Sequence, residues 1–116
     1  MPQTICFDLD GVLCKQTKGD YVNAVPNKEI ITMLNSLFNQ GNHIIIYTSR
    51  FMGRNNEDII KTYKEGYDFT YNQLQKWGVK FHGLFLGKPR YDILIDDRAV
   101  FYNNNPEKIL RCIEKK

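Results

Sequence analysis

The chain has 116 residues, which gives room for one domain with one core and none for a second substantial module. Its 42% apolar and 25% charged residues are those of an ordinary globular protein and exclude a disordered or fibrous chain. Sixteen Lys and Arg against 13 Asp and Glu leave a formal charge of +3, too slight a bias to be the footprint of nucleic-acid binding.

In chain order, Thr4 to Phe7 reads as a short buried strand. Met1-Pro2-Gln3 leads straight into it with no basic lead and no long apolar stretch, so no signal peptide is expected. No apolar run is long enough to span a bilayer, and a cytoplasmic protein is expected. Val12 to Pro26, which contains Gly19 and Asp20, reads as a long loop or small flap of the kind that often carries function. A helix is expected from Asn27, because Ile30, Ile31, Leu34, Leu37 and Phe38 recur at helical spacing and Gly41 stands where a C-terminal cap belongs. Asn42 to Tyr47 is β-branched and apolar without alternation, the pattern of a parallel strand covered on both faces. It ends at Thr48-Ser49-Arg50.

After Gly53 and Asn55-Asn56 a helical region runs to Trp77, with a break expected near Gly66 and an end at Gly78. Phe81 to Leu86 reads as a third strand, closed by Gly87-Lys88-Pro89, and Asp92 to Ile95 as a fourth, closed by Asp96-Asp97. Asn103 to Pro106 turns the chain into a last helix with Ile109, Leu110 and Ile113 as its buried stripe. Strand and helix alternate, which predicts a single α/β domain, a central parallel sheet flanked by helices. Cys6, Cys14 and Cys112 form no CxxC pair, so neither a disulfide framework nor a zinc site is indicated.

Ligands of open parallel sheets bind beyond the carboxyl ends of the strands. Here Asp8 and Asp10 follow the first strand, Thr48 to Arg50 the second, Lys88 the third, and Asp96 and Asp97 the fourth. Parallel strands would bring these groups to one edge. Several carboxylates in one crevice repel unless a cation joins them, and all-oxygen ligands suit Mg²⁺. Lys88 and Thr48 add a positive charge and a hydrogen-bond donor, which is what a phosphate requires.

These residues resemble the haloacid dehalogenase superfamily of aspartate-dependent phosphatases. Its four motifs stand in order as Asp8-Leu9-Asp10-Gly11, Thr48, Lys88 and Asp96-Asp97. The resemblance implies a Rossmann-like fold and a Mg²⁺-dependent phosphomonoesterase. Asp8 would be the nucleophile, with its other oxygen on Mg²⁺. Asp10 would be the general acid and base, with its backbone carbonyl on the metal. Thr48 would hydrogen-bond the phosphoryl group, Lys88 would neutralise it, and Asp96 would complete the metal ligands with Asp97 in support. Gly11 would let the chain turn close to the phosphate, and Ser49, Arg50 and Arg90 are candidate substrate contacts.

Little chain separates the motifs, so the resemblance is to a capless member, whose open site would depend on the flap or on a neighbouring copy in a homo-oligomer. "YTSRFM" and "QLQKWGVKFHGLFLGKPRYDILIDDRA" are similar to small bacterial phosphatases of capsule and surface-polysaccharide synthesis. That points to a sugar phosphate or polyol phosphate as substrate. The rival readings are a nucleotide or nucleic-acid-end phosphatase and a binding module that kept the fold without catalysis. His43 and His82 read as structural or surface histidines, Trp77 as core packing, and Cys14 as a small apolar filler.

Overall fold

The computed structural model describes residues 2–115. Strand β1 (Thr4–Phe7), strand β2 (His43–Tyr47) and strand β3 (Gly83–Phe85) form one parallel sheet in the order β1-β2-β3. Cys6 stands opposite Ile45, and Ile46 opposite Leu84. The crossovers carry helix α1 (Lys28–Asn39) and helix α2 (Ile59–Lys76), and helix α3 (Pro106–Glu114) packs against α1. β2 is the middle strand, with Ile44 and Ile46 fully buried. β3 is shorter than the expected Phe81 to Leu86.

Each helix starts at a side-chain cap. Asn27, Asp58 and Asn105 accept N–H bonds from Ile30, Lys61 and Lys108 at 3.4, 3.1 and 3.2 Å, which satisfies backbone donors that the first turn leaves open. Helix α1 buries Ile30, Ile31, Met33, Leu34 and Leu37 against the sheet, and Gly41 follows it with φ +94°. Helix α2 buries Thr62, Gly66, Thr70 and Leu74, a narrow stripe of mostly small side chains four residues apart. The helix runs unbroken through Gly66, contrary to the expected break. A Cβ at Gly66 would collide with the ring of Phe51, so this glycine serves close packing and not chain reversal.

Asp92 to Ile95 does not form the expected fourth strand. Ile93 and Ile95 are 81% and 96% exposed, and no strand lies beside them among the described residues. Strand propensity becomes structure only where a ladder partner is present, and here local bonding takes its place: Asp96 Oδ1 accepts from the Arg98 N–H at 2.6 Å. The sheet therefore has three strands, and β1 lies at its edge. His82, for which the sequence leaves a structural or a surface place open, accepts the Ile44 N–H at 3.0 Å and stacks on Phe38 and His43. Among the described residues no helix is long and apolar enough to cross a membrane.

Candidate active site

Beyond Phe7 the chain leaves β1 in a tight reversal. Leu9 is fully buried and anchors it, Leu13 N–H donates to Leu9 O at 2.8 Å, and Gly11 N–H donates to Cys14 O at 2.8 Å. Gly11 adopts φ +94°, a conformation that a side chain would strain. Gln16 closes over it and donates from Nε2 to Asp10 O at 3.2 Å. The flap is thus fastened to the acidic turn.

Asp8 and Asp10 meet different partners. Asp8 Oδ1 accepts its neighbour Leu9 N–H at 2.8 Å, and Oδ2 lies 3.7 Å from Lys88 Nζ. Burial raises the Asp8 carboxyl above its ordinary range; Lys88 and the Leu9 N–H pull it down without cancelling the effect. Lys88 reaches this position because β3 runs beside β2: its N–H donates to Thr48 O at 3.2 Å, and Thr48 N–H donates to Phe85 O at 3.0 Å. Thr48 itself is buried, and its Oγ1 accepts the Arg50 N–H at 3.1 Å, which leaves the hydroxyl proton for an acceptor in the cavity.

Asp10 is gripped by Arg50. The wholly buried guanidinium donates from Nε to Oδ2 at 2.9 Å and from Nη2 to Oδ1 at 3.0 Å. Its Nη1 donates to Gln73 Oε1 at 2.6 Å, and its carbon sits 4.6 Å from the centre of the Tyr21 ring. Gln73 in turn donates to Tyr21 O at 2.7 Å. Helix α2, the flap and the turn after β1 meet on this one arginine. Cys14 adds its Sγ at 3.3 Å from Asp10 Oδ1, and burial, with Asp10 beside it, pushes the thiol up to about 12. It is no nucleophile at neutral pH.

These groups open into a cavity of about 790 Å³, walled by the flap from Gln16 to Gly19, by Tyr21 and Arg54, and by Arg90 and Tyr91. No family model matches the chain, and no curated protein matches it. The chain is similar to the crystal structure of a structural-genomics target from Vibrio cholerae, with a TM-score of 0.82 and 29% identity over 97% of this chain and 98% of that one. The likeness bears on the α/β fold, which a second chain of nearly equal span shares.

Of the expected site residues, Asp8, Asp10, Thr48, Ser49, Lys88 and Arg90 come together at this cavity, with Gly11 at the turn that frames it. Arg50 also borders it, but its donors are engaged by Asp10 and Gln73 and its side chain has no exposed surface, so it orients Asp10 instead of touching substrate. Asp96 and Asp97 are exposed and lie outside the cavity lining. Among the described residues no three His, Cys, Asp or Glu side chains are grouped to hold a metal ion. Asp8 offers one carboxylate and Asp10 one backbone carbonyl, while the Asp10 carboxylate is held by Arg50. The residues as arranged do not fit the expected Mg²⁺ site.

Sequence reasoning left Gln73 and Gln16 out of the site and gave Arg54 no role. Nothing in spacing links Arg50 to Gln73, which is 23 residues away, since the pair is made by how α2 lies beside the sheet. Arg54 lies in the turn before α2, where spacing carries no signal for it. It donates to Gly19 O at 3.2 Å and to Glu65 at 3.3 Å, tying the flap to α2.

Proposed function

We propose that this chain is a phosphomonoesterase of the haloacid dehalogenase type, with an uncapped site, acting on a small phosphorylated metabolite such as a sugar phosphate or polyol phosphate. The observation that carries the reading is Asp8 facing Lys88, with the Thr48 hydroxyl in the same open cavity, at the carboxyl ends of three parallel strands.

In this reading an Asp8 oxygen bonds to phosphorus as the ester P–O bond breaks, giving an aspartyl-phosphate and the free alcohol. Lys88 and Thr48 balance and orient the phosphoryl oxygens. The leaving oxygen takes a proton from Asp10, and for that one of the two Arg50 N–H bonds to Asp10 gives way to an O–H. Water then attacks phosphorus, Asp10 receives its proton, and the Asp8 carboxylate is restored with release of inorganic phosphate. No step is assigned to Mg²⁺.

The test is phosphate release from sugar phosphates, polyol phosphates, nucleotides and 3′-phosphorylated oligonucleotides, with and without Mg²⁺. Release centred on sugars or polyols, lowered at least about 10³-fold (roughly 4 kcal/mol in barrier) by Asp8→Asn, is the expected result. Phosphate binding without turnover on any member would favour the binding-module reading.

A further inference from the structure

We infer that the cavity holds a second anion subsite, made by Lys18 of the flap and Arg90 after β3, so that the preferred substrate carries a carboxylate or second phosphate besides the ester phosphate. This rests on the phosphatase reading of the same cavity.

Among the described residues Lys18, Arg50, Arg54, Lys88 and Arg90 border the cavity against Asp8 and Asp10, and Arg90 also borders the adjoining hollow that Glu57 and Asp92 line. Two of the five are matched, Arg50 by Asp10 and Lys88 by Asp8. Arg54 is engaged by Glu65 and by Gly19 O. That leaves Lys18 and Arg90, neither of which has a carboxylate within ion-pairing distance of its charged end among the described residues. Glu57 is the acid nearest Arg90 by bonding, and it accepts the backbone N–H at 3.2 Å.

Both cations are presented by ordered backbone. The exposed Arg90 guanidinium lies over Gly53, with Nη1 2.5 Å from where a Cβ would stand, which brings it to the mouth of the cavity beside the loop after β2. Lys18 sits at φ +53° in a turn closed by Asp20 N–H on Thr17 O at 3.1 Å, and the adjoining Gly19 carbonyl is held by Arg54. A phosphoryl group at Asp8 uses Lys88 and Thr48, and the remaining space far exceeds one phosphate. Beside a neutral sugar the exposed Lys18 and Arg90 keep their hydration, whereas an anionic group on the distal carbons gives them charge-assisted hydrogen bonds.

The experiment pairs substrates that differ only in the second group: 6-phosphogluconate against glucitol 6-phosphate, and a hexose 1,6-bisphosphate against the hexose 6-phosphate. Calorimetry on Asp8→Asn gives binding without turnover, and kcat/KM on the unaltered chain gives the reaction. We expect the doubly anionic member to bind and react at least tenfold better, and K18Q and R90Q each to bring that ratio below about threefold. Equal Kd and equal kcat/KM within each pair would overturn the subsite while leaving the phosphatase reading in place. A tenfold Kd ratio with no phosphate released from any compound would keep the subsite and overturn the phosphatase reading. A 3′-phosphorylated oligonucleotide preferred over every small phosphate would overturn the assignment in favour of nucleic acid.

Discussion

In the proposed reaction Asp8 attacks phosphorus as the carboxylate, while its burial shifts it toward the protonated form. Because burial raises its pKa in the folded chain, the ionised group opposes folding at neutral pH, and that opposition fades as pH falls from the raised value toward the ordinary aspartate value of about 3.9, below which it is gone. Asp8→Asn removes the charge, and although it also frees Lys88, the net shift already includes that pairing. In metal-free buffer the variant is expected to melt above the parent chain at pH 7, with the gap closing as pH is lowered toward 4; thermal melts across that range measure it. Arg50 has the opposite character. Arg50→Ala takes the guanidinium from a mostly buried Asp10, leaving it only the weak Cys14 thiol donor, and leaves Gln73 Oε1 without its donor, and a loss of about 3 kcal/mol is expected from urea unfolding. Arg50→Lys should recover only part of it, since an ammonium cannot match both carboxylate oxygens as the guanidinium fork does.

At the scale of elements, Gly66 in α2 separates intrinsic preference from packing. Alanine is ordinarily favoured over glycine within a helix by about 1 kcal/mol, but here its methyl would enter the Phe51 ring. Gly66→Ala is therefore expected to lower stability by about 1–3 kcal/mol in denaturant titration, because Phe51 is fixed at φ +68° between Tyr21 and Phe69 and cannot easily retreat. The same residue shows where sequence reading stops. Helix α1 was legible because its buried stripe, its Asn27 cap and Gly41 all lie within its own segment. Gly66 read as a break because the side chain that requires it comes from a loop fifteen residues earlier. Asp8, Asp10, Thr48 and Lys88 were legible as a set because parallel strands must align their carboxyl ends, whereas the Arg50 and Gln73 pair depends on how one helix is rotated.

Across the whole molecule the core is supplied by Phe7 of β1, Leu9 and Leu13 of the turn after it, β2, α1, Leu74 of α2 and the stretch that ends at Leu86, with Ile109 of α3. The segment from Tyr91 to Ala99 lies wholly at the surface, so strand-like composition there has no packing to support it. Ile95→Ser is accordingly expected to change stability by no more than about 0.5 kcal/mol, while Ile46→Ala in the middle strand should lower it by about 2–5 kcal/mol. Equilibrium unfolding of the two variants side by side checks the contrast. The sheet also repeats in space the order of its strands along the chain. During synthesis β2 can pair with β1 once the residues through Tyr47 have left the ribosome, and β3 then adds to a finished edge, so no strand waits for a later one to open a place. Lys88 arrives last. The nascent protein therefore assembles its acidic turn first and receives the cation that faces Asp8 only when the third strand docks.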